Sequence, residues 1–193
     1  EASFFIPFNM SLNCATLIYA TAQPITKLNH QDKTYYFFSK IQGIPAEFVF
    51  NSNEISIQSS SLKSSVENGR IYFRSPMEGL NTIYLKNAND GKIVIVLVDE
   101  KASLQLYKDK FAGEERIFIS NSALRCDRDK LELDEADRNV NFSMFPDVKS
   151  FVSNGKTIKV SKKSLFTDYK IRMEKKEAVR VKIEKIKEID LPP

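Results

Sequence analysis

Apolar side chains return at every second position through most of this chain, and that period decides what it can become. In "AEFVFN" (residues 46–51) Ala46, Phe48 and Phe50 share one face; in "RIYFRS" Ile71 and Phe73 do, and in "NTIYLKN" Ile83 and Leu85 do. Successive side chains of a strand point to opposite faces, so this pattern buries one side of a sheet, whereas a helix needs apolar residues three and four apart. "ERIFIS", "KLELD", "NVNFSMF" with Val140, Phe142 and Met144, and "KTIKVS" continue it. Turn signals separate these segments: "VENG", "NANDGK" with Asp90-Gly91, and "SNGK" with Asn154-Gly155. Aspartate-glycine and asparagine-glycine pairs accept the left-handed backbone of a tight hairpin at little cost. Many short strands at this spacing predict an all-β chain, an antiparallel β-sandwich of jelly-roll or Greek-key type.

One short helix is expected within it. "VDEKASLQLYKDKF" offers Asp99 as a cap and then Leu104, Tyr107 and Phe111 at helical spacing, enough to seal one end of the sandwich. The segment "YKIRMEKKEAVRVKIEKIKEI" reads two ways. Tyr169, Ile171 and Met173, then Val179, Val181 and Ile183, alternate as two strands, while Val179, Ile183 and Ile186 also fit a helix. β-branched residues dominate the second arm, which favours a hairpin turning at residues 174–177 over a basic amphipathic helix. The sandwich is expected over residues 1–186, with two lobes meeting near Ala112-Gly113. The double proline of "EIDLPP" marks residues 187–193 as a linker to a following domain. The opening "EASFFIPFNM" has neither a basic start nor a small-residue cleavage site, so it reads as an internal piece of a longer protein.

Composition sets what such a fold can hold. With 193 residues, a 42% apolar fraction, 14 Phe and 7 Tyr, the chain can fill a core. Its longest unbroken apolar run, "IVIVLV" at residues 93–98, falls far short of the roughly 20 residues of a membrane-crossing helix, so no membrane partner is expected. The net charge of +4 comes from 29 basic and 25 acidic side chains. Ten basic residues fall within residues 162–187, but Asp168, Glu174, Glu177 and Glu184 are mixed among them. That is the pattern of a solvated hairpin face rather than of a nucleic-acid patch, and no nucleic-acid partner is expected.

Motifs for chemistry are sparse. The six glycines never fall within two residues of one another, which leaves no phosphate loop and no dinucleotide fingerprint, so no cofactor is expected. His30, the one histidine, sits in a polar stretch with nothing local to make it a catalytic base. Cys14, His30 and Cys126 do not supply the short-spaced ligands of a zinc site, and "CDRDKLELDEADRN" lacks the glycine and terminal glutamate of a calcium loop. No metal and no catalytic residue are therefore assigned. Cys14 and Cys126 fit one disulfide or two free thiols equally well.

The stretch "TYYFF" is the most unusual. In a strand Tyr35 and Phe37 share one face while Tyr36 and Phe38 share the other. Two readings stay open: a central strand buried on both sides, or a tyrosine platform that stacks a sugar. On the second reading Tyr35 and Tyr36 are the candidate carbohydrate-binding residues, with Gln23, His30 and Gln42 as polar neighbours able to reach a sugar.

The ordered series "FFIPFNMSL", "ATLIYATAQPITKL", "KTYYFFSKIQGIPAEFVF" and "KIVIVLVDEKASLQLYKDKFAGEERIFISNSAL" resembles the β-sandwich region that follows the catalytic barrel in bacterial family 35 glycoside hydrolases, the β-galactosidase group. The match covers roughly residues 4–124 and rests on scaffold patterns: Tyr19 to Gln23, Tyr35 to Phe38, Gly43 to Phe50 and Ile93 to Tyr107. Retaining glycosidases need two carboxylates about 5 Å apart, and in this family they lie on a barrel of about 250 residues that this chain is too short to contain. The resemblance implies a non-catalytic accessory domain of a periplasmic or extracellular enzyme. Its partners would be the catalytic barrel of the same parent chain and carbohydrate, with the loops "TAQPITKLNHQDKT", which holds Gln23 and His30, and "FSKIQGIP" at the barrel contact.

Overall fold

The computed structural model describes residues 10–12, 15–99, 105–121, 124–132, 139–148, 150–153, 156–159, 164–173 and 181–190. These residues form strands and no helix, and the chain divides into two compact units, Glu1–Glu100 and Lys101–Pro193. No helix long and apolar enough to cross a membrane occurs among the described residues.

Two five-stranded sheets make the first unit. One runs β1 (Met10–Leu12), β2 (Ala15–Ala20), β5 (Phe48–Asn51), β8 (Arg70–Arg74), β7 (Lys63–Glu67), all antiparallel. The other runs β3 (Gln23–His30), β4 (Lys33–Ser39), β10 (Lys92–Val98), β9 (Leu80–Asn87), β6 (Ile55–Ser60), with β4 and β10 as its parallel pair. Their inner faces meet in one core. Leu17, Phe48, Phe50, Ile71 and Phe73 come from the first sheet, and Tyr36, Phe38, Ile83, Leu85, Ile93, Ile95 and Leu97 from the second. Every residue that the period of two placed inward in the segments at 46–51, 70–75 and 81–87 is in this core. Phe38 meets Phe48 edge-on across the two sheets at 5.0 Å, the arrangement that aromatic quadrupoles prefer.

The central pair β4–β10 is dry on both sides. Val94 and Val96 are fully buried on the face away from that core, and Tyr35 and Phe37 stack on the same face with ring centroids 6.3 Å apart. A strand buried on both faces has no polar side to show, which is why "IVIVLV" and "YYFF" read as unbroken apolar runs. The β9–β10 turn is held by Asn87, whose Oδ1 accepts from the amides of Asn89 and Gly91, both at 2.8 Å. Asp90 takes the left-handed conformation there, with φ 62°. Gly91 is required for space, since a Cβ on it would lie 2.5 Å from Asn87 Nδ2.

The second unit has a five-stranded antiparallel sheet ordered β11 (Gln105–Phe111), β12 (Glu114–Ser120), β15 (Asn139–Phe145), β18 (Ser164–Met173), β19 (Val181–Asp190). A four-stranded sheet accompanies it: β13 (Arg125–Asp127), β14 (Lys130–Glu132), β16 (Ser150–Ser153), β17 (Lys156–Lys159). Phe111, Phe118, Phe142 and Met144 of the first pack with Leu131 and Phe151 of the second. Arg116 is buried in this unit and satisfied: Nε donates to the Phe111 carbonyl at 2.8 Å, Nη1 to the Pro146 carbonyl at 2.7 Å, and Nη2 reaches Glu114 at 3.1 Å. Burial lowers its pKa, against the pull of the Glu114 carboxylate.

Four expectations are corrected. The helix over "VDEKASLQLYKDKF" does not form at residues 105–111, which are strand β11: Tyr107, Asp109 and Phe111 alternate toward the unit's interior, and the spacing of Tyr107 and Phe111 fits a strand face as well as a helix face. Ala112-Gly113 is the turn of the β11–β12 hairpin, and the chain divides instead at Glu100/Lys101. Residues 187–190 belong to β19 rather than to a linker. The stretch around Gln23 and His30 is no loop but the edge strand β3, whose polar, exposed face gives no apolar alternation to read. The C-terminal hairpin does form, as β18 and β19; its turn at residues 174–177 and the Asn154-Gly155 turn lie outside the described residues.

Candidate functional site

Tyr35 and Tyr36 are 3% and 7% exposed. Tyr36 turns into the sandwich core and Tyr35 toward the opposite face, so neither offers an open ring to a sugar; stacking on them would require the sheet to open. Burial pushes the Tyr35 hydroxyl up to about 12. Gln23 begins β3 opposite Ser39, and His30 ends it opposite Lys33. At 3.3 Å per residue these two lie roughly 23 Å apart, so they cannot share one sugar. Gln42, exposed, follows β4 at the Gln23 end. Cys126 is a free thiol, and Cys14 lies outside the described residues.

A bulge between Pro24 and Thr26 breaks the β3–β4 register, as bulges do on edge strands, and leaves Ile25 exposed. Beside it runs a shallow groove of about 230 Å³ bounded by Pro24–Lys27 and by Tyr36, Phe37 and Phe38. That is below the roughly 300–1,000 Å³ of small-ligand sites.

The other face of the first sheet carries the most organised polar group of this unit. Tyr19, Val49 and Tyr72 stand side by side across β2, β5 and β8. Above them the Tyr19 hydroxyl donates to Glu47 Oε1, and Arg74 Nε donates to Glu47 Oε2. Arg74 also lies 3.8 Å from Glu67 and sets its guanidinium 4.4 Å over the Tyr72 ring. Burial would raise the Glu47 carboxyl, but the bonds from Tyr19 and Arg74 and the arginine's charge outweigh it and hold the group below the usual carboxylate range. The bond to Glu47, with burial, pushes Tyr19 up to about 12. Both oxygens of Glu47 are occupied, so it works as a clamp joining three strands rather than as an acid or base. Sequence reasoning missed this group because its members are scattered through the first 74 residues; the hint was Arg74 two positions after Tyr72, on the same face of one strand.

Asp32 is a second carboxyl with a displaced pKa, lowered by its 2.6 Å bond from Lys92 and by Lys33. A glycosidase's general acid needs the opposite shift. No cluster of three or more His, Cys, Asp or Glu side chains suited to a metal ion occurs among the described residues. The chain matches no protein-family model and no curated protein sequence.

Proposed function

We propose that this chain is a non-catalytic accessory β-sandwich of a β-galactosidase-like glycoside hydrolase of a bacterium, packing on the catalytic barrel of its parent chain in the periplasm or outside the cell and supporting carbohydrate hydrolysis there. One observation carries the reading. The segments in which the resemblance to family 35 enzymes resides include β2, β4, β5 and β10, and these pair two by two, β2 with β5 and β4 with β10. These four are interior strands of the two sheets of the first unit, where a scaffold's sequence is most constrained, while β1, β3 and β11 of the same segments are edge strands. A strand pair buried on both faces is stiff, and stiffness is what a platform for a neighbouring barrel needs. The burial of Tyr35 and Tyr36 lends nothing to the other reading, a sugar-binding module built on those two rings.

The test has two parts. The isolated chain should not hydrolyse lactose or aryl β-galactosides, and deleting these residues from the parent enzyme should lower the thermal midpoint of the barrel. Turnover by the isolated chain, or a barrel indifferent to the deletion, overturns the proposal.

A further inference from the structure

The edges of the first unit's two sheets are not equally protected. An edge strand presents unpaired N–H and C=O groups that another strand can take up, and folds blunt such edges with short strands, prolines or bulges. β1 has three residues. β3 carries Pro24 and a bulge between Pro24 and Thr26, and β6 carries a bulge between Ile57 and Ser59. β7 has none of these. It pairs with β8 in unbroken register from Lys63 to Glu67, and every one of its residues is exposed. Val66, 64% exposed, is the most open large apolar side chain among the described residues, although it stands opposite the core residue Ile71.

Hairpin geometry says which main-chain groups of β7 are free. The β7–β8 turn is Asn68-Gly69, with φ 51° and 75°, the two-residue turn that closes on a pair exchanging both main-chain bonds. That pair is Glu67 with Arg70. Bonded and non-bonded pairs alternate from there, so Lys63, Ser65 and Glu67 use their groups on β8 while Ser64 and Val66 turn theirs to the open side. The charges are unbalanced at the same edge. Lys63 stands directly opposite Arg74, a like-charged pair of the kind that destabilises a sheet. Arg74 has Glu47 and Glu67, but no ion pair joins Lys63 to another described residue.

We propose that β7 pairs with the β7 of a second copy of this chain, antiparallel about a two-fold axis at Ser65, so that the two sheets become one. In that register Ser64 of each copy meets Val66 of the other as a hydrogen-bonded pair, which satisfies every N–H and C=O that these residues leave open. Val66 gains cover from the facing strand. On the outer row Lys63 then lies opposite Glu67 of the second copy, twice by symmetry, with Ser65 opposite Ser65. A shift by two residues keeps main-chain bonds but sets Lys63 opposite Ser65 or Gly69 and loses both ion pairs. The register that uses the free groups is thus also the one that balances the charges, and a self-complementary patch of this kind closes as a two-fold dimer. One strand edge buries less than the roughly 1,200–2,000 Å² of a standard interface, so the association is weak. The inference rests on the edge alone and does not depend on the accessory-domain reading.

Sedimentation equilibrium of the full chain, from about 10 μM to about 1 mM, tests the pairing over the range of a weak interface. The average mass should climb from monomer toward dimer. Lys63→Glu and Glu67→Lys each set like charges opposite one another at both ends of the strand pair, and either should raise the dimer Kd about tenfold or more. An equimolar mixture of these two variants brings opposite charges together again and should restore association, as should the double variant Lys63→Glu/Glu67→Lys. Val66→Pro removes an N–H that β8 does not use, which an edge strand tolerates, so it should abolish the dimer with the far-ultraviolet circular dichroism unchanged. A chain that stays monomeric throughout overturns the proposal and leaves the edge to a strand of another protein. Association that ignores the charge reversals, or that the mixture fails to restore, overturns it as well, because the contact then lies elsewhere.

Discussion

Phe37 and Phe38 are neighbours on β4 and face opposite ways, and both are 1% exposed. Phe38 lies in the sandwich core against Phe48. Phe37 lies on the other face, stacked on Tyr35. If the strand is buried on both sides, truncating either ring should cost the same order of free energy. Phe→Ala in a closed interior costs about 3–5 kcal/mol from lost transfer energy and the cavity left behind. Within that, the edge-on contact of Phe38 with Phe48 accounts for about 0.5–1.5 kcal/mol. Against the roughly 5–15 kcal/mol of a whole domain these are large fractions. With a urea m value of about 2 kcal/mol/M, a loss of 4 kcal/mol moves the midpoint by about 2 M. Urea melts of Phe37→Ala and Phe38→Ala, followed by tyrosine fluorescence and far-ultraviolet circular dichroism, would measure both. The double mutant Phe38→Ala/Phe48→Ala should recover the pair's coupling as a shortfall from additivity. A loss under about 1 kcal/mol for Phe37→Ala beside a full loss for Phe38→Ala would refute the two-sided burial and reopen that face to a ligand.

Four further outcomes are expected. The folded Glu47 carboxyl lies below its unfolded value of about 4.3, so the stability it contributes is complete above that pH and drains as pH falls through the lower folded value; Glu47→Gln should flatten the acid limb of a urea-midpoint profile. Tyr19 is raised instead, so its contribution is complete below pH 10 and lost as pH climbs through about 12, and Tyr19→Phe should flatten the alkaline limb. Gly91→Ala should push the Asn87 side chain out of its turn and break its two amide bonds, costing about 1–3 kcal/mol in urea melts with little change in m. Arg116→Met should leave the buried carbonyls of Phe111 and Pro146 short of a donor and destabilise the second unit by several kcal/mol, on the basis of about 1–3 kcal/mol for each, seen as a lowered urea midpoint.

Where the core-facing row of a strand is apolar without interruption, the fold could be read directly. Phe48, Phe50, Ile71, Phe73, Ile83 and Leu85 were legible because they hold successive inward positions of their segments, and Phe142 and Met144 were legible on either side of Ser143. The reading failed where that row was broken. β3 buries only Leu28 along its length, so an edge strand looked like a loop, and with it Gln23 and His30 were placed as loop residues. β11 puts a carboxylate, Asp109, on its inward row between Tyr107 and Phe111, and the interrupted row then looked helical. Both failures have one cause: periodicity reports hydrophobic contrast, and edge strands are the ones that give it up.

The same argument explains why these side-chain groups were not found in the sequence. Glu47 is held by Tyr19 and Arg74, residues brought together only by the order β2-β5-β8. Asp109 and Cys126 meet because the β11–β12 and β13–β14 turns are clipped through the Ala112 amide and the Arg128 carbonyl, main-chain atoms that no side-chain pattern records. Ala112 and Arg128 both hold positive φ, a conformation disfavoured for residues with a Cβ, at the two ends of that one hydrogen bond. Strain of this kind, of order 1–3 kcal/mol per residue, persists only where the surroundings impose it. The same positive φ recurs at Gln31, Asn68 and Asp90 in other hairpin turns, so at Ala112 and Arg128 it belongs to the turns themselves, and the hydrogen bond between them fixes one turn against the other.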